Sequence, residues 1–130
     1  MALRVGDNHC HLNPVRGMGA RAFAKRFREA GGWFVGLVNL LSWSYSVEVT
    51  SAQDYERVYR LTLSTAEELR QEGLRVAVIL GPHPAELARL VDAGASVEKA
   101  VAVVLEAYRL AGRARRTGGG GRAGRGRPPP

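Results

Sequence analysis

The chain has 130 residues, 45% of them hydrophobic, and its nineteen basic and twelve acidic residues give a formal net charge of +7. One cysteine excludes an internal disulfide and fits a reducing compartment. No apolar run approaches the roughly 18 residues of a membrane span, so the expectation is a cytoplasmic protein with no membrane partner.

The basic charge is unevenly placed. Residues 113–130 hold six basic residues and no acidic one, which leaves 13 basic against 12 acidic, a net +1, in residues 1–112. A nucleic-acid partner, the usual reading of such a charge, would therefore have to bind through the tail.

Leu3-Arg4-Val5 leads into Asp7-Asn8-His9-Cys10-His11, and together they read as a first strand. Alternation along a strand sends Asp7, His9 and His11 to one face and Cys10 to the other. Paired imidazoles with a carboxylate behind them are half of a metal site, and Cys10 reads as a buried, inert thiol. Asn13-Pro14, Gly17 and Gly19 break the strand. A helix is predicted from about Ala20 to Ala30 on the spacing of Phe23, Phe27 and Ala30, with Gly31-Gly32 ending it.

Trp33 to Leu41 is a nearly unbroken apolar run of strand length, the pattern of a central strand in a parallel sheet. Ser42–Thr50 is a polar loop whose Trp43 and Tyr45 either line a pocket or pack over a rim. Ser51 and Asp54 mark the start of a long amphipathic helix that runs to Gly73. Arg75 to Gly81 is a third strand, Pro84 opens a helix ending at Gly94, and Ser96 caps a last helix. In that helix Val97, Ala100, Val101, Val104 and Tyr108 are expected to share the packed face.

The order strand, helix, repeated three times, implies an α/β fold with a parallel sheet, either doubly wound or part of a (β/α)₈ barrel. A barrel needs about 250 residues and eight such units, and three are present. Residues 112–130 are Gly, Arg, Ala and Pro apart from Thr117, with no apolar periodicity, and read as a disordered tail. Two origins stay open for it: a G/C-rich gene read out of frame near Gly112, or a genuine Gly/Arg-rich extension.

Asp7-Asn8-His9-Cys10-His11-Leu12-Asn13-Pro14, Gly31-Gly32, Val38-Asn39-Leu40 and Gly81-Pro82-His83-Pro84-Ala85-Glu86 resemble the N-terminal part of a TatD-type metal-dependent hydrolase. The nearest likeness is to the archaeal TatD-related branch of the amidohydrolase superfamily, over about residues 3–111. The resemblance implies a (β/α)₈ barrel with one or two divalent metals (Zn, Mn or Mg) at the C-terminal mouth. It also implies hydrolysis of phosphodiester or related bonds. It matches His9 and His11 to metal ligands, Asp7 to the acidic residue beside them, and His83 to the histidine of a Gly-x-His-Pro turn lining the site.

The family also takes a glutamate, further histidines and an aspartate from later strands. This chain has only His9, His11 and His83 as histidines, so no catalytic residue is assigned and the chain alone is expected to be inactive. Glu86, one turn into its helix, reads as a favourable charge at a helix N-terminus. Two competing readings are a small α/β protein that binds nucleic acid through its arginines, and a fold in which His9 and His11 are structural.

Overall fold

The computed structural model describes residues 3–118. It is a mixed α/β fold with one parallel three-stranded sheet in the order β1 (Val5–Cys10), β2 (Gly32–Val38), β3 (Arg75–Ile79). Four helices join or follow the strands: α1 (Ala20–Glu29), α2 (Tyr55–Gln71), α3 (Pro84–Asp92) and α4 (Val97–Gly118). β2 lies in the centre, as its apolar run predicts, and β1 and β3 form the two edges.

The strands alternate between two environments. Val35 and Leu37 of β2, with Val76 and Val78 of β3, face Ala20 and Ala24 of α1 and Ala66 and Leu69 of α2. Val35 and Leu37 are fully buried, and burial of each stabilises the sheet by about 1.5–3 kcal/mol. Arg75, Ala77 and Ile79 alternate with the valines and are exposed on the opposite side.

A second core forms where α2 meets α4 and the loop after β2. Tyr45, Tyr55, Val58 and Tyr59 pack against Ala107, Leu110 and Ala111. The loop is held in 3₁₀ turns at Ser42–Tyr45 and Ala52–Asp54. The expected capping box is present: the Asp54 carboxylate accepts the backbone N–H groups of Thr50 at 2.9 Å and Ser51 at 3.0 Å. These bonds hold the Asp54 carboxyl below its ordinary range.

α1 ends as the Gly31-Gly32 pair predicts. Gly31 has φ +90° and donates its N–H to the Arg28 carbonyl at 2.9 Å, and a Cβ there would lie 2.3 Å from the Leu3 carbonyl oxygen. Only glycine meets both conditions. β2 is shorter than its apolar run, because Asn39 turns its side chain across to the end of β3.

α4 departs from expectation in two ways. It continues through Gly118, so residues 112–118 of the stretch read as disordered are helical. Ala114 packs on the second core, and the Arg and Ala residues around it are good helix formers. Residues 119–130 of that stretch lie outside the described residues. The packed face also differs: Ala100, Ala107, Leu110 and Ala111 are buried, whereas Val97, Val101, Leu105 and Tyr108 are exposed. Small alanines let α4 approach its neighbours closely, which leaves the larger apolar stripe outward. Among the described residues, no helix is long and apolar enough to cross a membrane.

Candidate metal centre

The local geometry of the first strand is set by a break in its pairing. Asp7 pairs with Val35 and Cys10 with Leu37, so three steps along β1 run beside two along β2. Such an irregularity interrupts strict alternation and re-aims the side chains beyond it. It brings the Asn8 carbonyl over Gly36, where a Cβ would stand 2.5 Å from that oxygen. The glycine therefore makes room for the bulge that turns His9 and His11.

Cys10 faces the core between the sheet and the helices, as alternation predicts. Burial, and secondarily the charge of Asp7, push its thiol above the ordinary range. Asp7 does not stand in phase behind the imidazoles. Its Oδ1 accepts the backbone N–H of His9 at 3.0 Å, a local bond across the irregularity.

His9 and His11 are both exposed and meet edge to face, with ring centroids 4.9 Å apart and Nε2 to Nε2 at 3.1 Å. His11 Nδ1 lies 3.0 Å from the Val38 carbonyl oxygen at the end of β2. A carbonyl only accepts, so His11 carries its proton on Nδ1 and presents a lone pair at Nε2. In the absence of a cation, His9 Nε2–H donates to that lone pair.

The separation of the two nitrogens would also admit a shared cation. Two Zn–N bonds of about 2.0–2.1 Å to nitrogens 3.1 Å apart enclose an angle of about 100°, near the tetrahedral value. The His11 contact with Val38 is the kind of outer hydrogen bond that fixes a ligand's tautomer and orientation.

His83 is placed differently. It is the N-cap of α3, and its Nδ1 accepts the backbone N–H of Ala85 at 3.0 Å. The neutral ring then has its proton on Nε2, so His83 offers a hydrogen-bond donor to its surroundings and no free lone pair. Among the described residues, no three His, Cys, Asp or Glu side chains are grouped to hold a metal. Neither Asp7 nor His83 therefore supplies a third ligand, and the pair remains short of the three protein ligands usual in catalytic zinc.

Side-chain amides tie the strand ends together. Asn39 bonds both backbone groups of Gly81: its Nδ2 donates to the carbonyl and its Oδ1 accepts the N–H, each at 2.9 Å. Asn13 accepts the N–H groups of Val15 and Arg16 through Oδ1 and donates from Nδ2 to the Ser44 carbonyl at 3.1 Å. The histidine loop is thus fastened to the loop after β2, and that strand's end is fastened to the turn carrying His83.

Tyr45 takes the packing role foreseen for the loop aromatics. It is buried, and its hydroxyl accepts the Leu40 N–H at 2.8 Å and lies 3.2 Å from Thr62 Oγ1. Trp43 instead lies under the Arg89 guanidinium, 4.5 Å from the ring centroid.

Glu86 is the residue the sequence reading missed. It is not an exposed helix-end charge: it is 1% exposed, and one oxygen accepts the Ser42 N–H at 3.0 Å. Asn39 had a visible signal, a lone amide inside an apolar run. Glu86 had none. Comparison with known protein families, with curated protein sequences and with solved structures finds no match to this chain.

Proposed function

We propose that residues 3–111 correspond to the first three strand and helix units of a TatD-like metal-dependent hydrolase barrel. In this reading His9 and His11 are the first two ligands of a divalent metal. The observation that carries it is the 3.1 Å approach of the two Nε2 atoms, with His11 oriented through Nδ1 by the Val38 carbonyl. The His11 lone pair that accepts from His9 without a cation lies on an exposed surface, where it is also within reach of an ion from solvent.

The parallel order β1-β2-β3 with intervening helices is the order of a barrel segment. The exposed face bearing Arg75, Ala77 and Ile79 would become its interior. His9, His11 and His83 all lie at the C-terminal ends of strands or just beyond them, where barrel enzymes carry their chemistry. The chemistry a divalent ion supplies in such a place is Lewis-acid activation for hydrolysis, with a phosphate ester as the substrate class. His9 and His11 hold the ion, and His83 can donate Nε2–H to a substrate oxygen.

This chain alone lacks the carboxylates that would complete the ligand set and accept a proton, so it binds metal without turning over substrate. The test is hydrolysis of bis(p-nitrophenyl) phosphate with zinc or manganese. The expected rate equals that of the metal without protein. Clear turnover abolished by His9→Ala would overturn the inactivity, and absence of metal binding would overturn the assignment of the two histidines.

A further inference from the structure

We infer that the cleft bordered by Glu86 is a binding site for a small zwitterion, with a primary ammonium at one end and a carboxylate at the other. The cleft has a volume of about 290 Å³ and lies between the loop after β2, α3 and α4, apart from the histidine pair. Glu48 and Thr50 come from the loop, Glu86 and Arg89 from α3, and Lys99 and Val103 from α4.

Glu86 is what marks the cleft as more than a surface groove. A carboxylate withdrawn from water is strongly disfavoured unless a cation or a full set of donors replaces the water. Glu86 is 1% exposed, and among the described residues its carboxylate accepts the Ser42 N–H and stands beside the Tyr55 hydroxyl, whereas no Lys, Arg or His nitrogen pairs with it.

Arg89 follows one turn later on the same helix, at the spacing of an ion pair, but its guanidinium is over the Trp43 ring. The buried Tyr55 hydroxyl approaches Glu86 without completing a well-formed hydrogen bond to it or to any other described group. Burial, then the Glu86 charge and the contact with its carboxylate, push that phenol far above its ordinary range, so it stays neutral with its proton toward Glu86.

An ammonium group supplies the counter-charge that no described Lys, Arg or His gives Glu86, and its remaining donors can reach Glu48 at the rim. Arg89 and Lys99 border the same cleft and would repel a simple cation, whereas they complement a ligand whose other end is anionic. Val103 and Leu90 give the apolar wall for a short methylene chain.

The probes are 4-aminobutyrate and 6-aminohexanoate, with butylammonium and butyrate as the single-charge halves. Binding is followed on the full chain by the backbone amide resonances of Ser42 and Gly94. At least one amino acid should shift both resonances saturably and bind more tightly than either half. Glu86→Gln keeps an acceptor for the Ser42 N–H and should weaken that binding at least about tenfold, as expected for loss of a charge-assisted bond.

If Glu86→Gln does not fold, Val103→Phe, which fills the cleft, decides by abolishing or preserving the shifts. The inference is overturned if neither amino acid binds, if butyrate binds as well as they do, or if Glu86→Gln or Val103→Phe leaves the affinity unchanged. Because His9 and His11 take no part, His11→Ala should bind these probes normally, and the metal assignment stands or falls separately.

Discussion

The ends of β1 and β3 each carry histidine, and they use it in opposite ways. Beyond β1, His11 gives its Nδ1 proton to the Val38 carbonyl and keeps a lone pair at Nε2, 3.1 Å from His9 Nε2. Beyond β3, His83 takes the Ala85 N–H on Nδ1 and caps α3. The residue type is the same, but His11 turns its Nε2 lone pair to a neighbouring imidazole, whereas the Nδ1 lone pair of His83 is occupied by the backbone. Which nitrogen the backbone engages decides what a histidine can do.

The largest expected effect comes from breaking the β1 end. Gly36→Ala places a methyl group against the Asn8 carbonyl, and β1 must shift away from β2. The cost should be about 2–3 kcal/mol in urea unfolding, with weaker metal binding, because His9 and His11 lie just beyond the displaced segment. Unchanged stability would mean that the strand pair has room the structure does not contain.

Cutting the β3 end from β2 is the next step down. Asn39→Ala removes both bonds to Gly81 and leaves its half-buried backbone groups unpaired, at about 1–2 kcal/mol. Metal affinity should change far less, since His11 is anchored to Val38, one residue earlier.

Much of this architecture is legible from residue order alone, and what is not has identifiable physical causes. Strand and helix types follow from apolar spacing. β2 ends at Val38 rather than Leu41 because Asn39 finds a side-chain bond on another strand, a long-range choice that no local pattern encodes. The buried face of α4 keeps Ala100 of the expected stripe but turns away from Val97, Val101 and Tyr108, because close packing favours the small Ala107 and Ala111 over apolar size.

At the site, the adjacency of His9 and His11 is visible in their spacing, but the bulge that takes Asp7 out of phase is not. Glu86 looks like any acidic residue in a first helical turn. Its burial depends on the Ser42–Tyr45 turn folding over it.

His83→Ala sharpens the comparison with a smaller effect. It should cost about 1 kcal/mol as a lost N-cap and leave metal affinity within about twofold, whereas His83→Asn should recover the stability by restoring an acceptor. A large loss of metal affinity in His83→Ala would place that ring among the ligands.

The smallest effect is expected away from both strand ends. Asp54→Ala should cost about 1 kcal/mol or less at neutral pH. The folded Asp54 carboxyl is held below its unfolded value by the Thr50 and Ser51 N–H groups. Its contribution is therefore present above the ordinary carboxylate range and is lost as pH falls through the lowered folded value. Chemical unfolding of wild type and Asp54→Ala should converge in that acid range, and a pH-independent difference would assign the effect to packing.

The paired Nε2 atoms of His9 and His11 are proposed as a cation site that does not involve His83. Its most direct test is a calorimetric zinc titration of the wild type, His11→Ala and His83→Ala at neutral pH. One zinc per wild-type chain is expected, with an affinity reduced at least about 100-fold in His11→Ala, beyond the 10–100-fold typical of losing an outer-shell partner, and wild-type behaviour in His83→Ala. Equal zinc binding by wild type and His11→Ala, or none by the wild type, would contradict it.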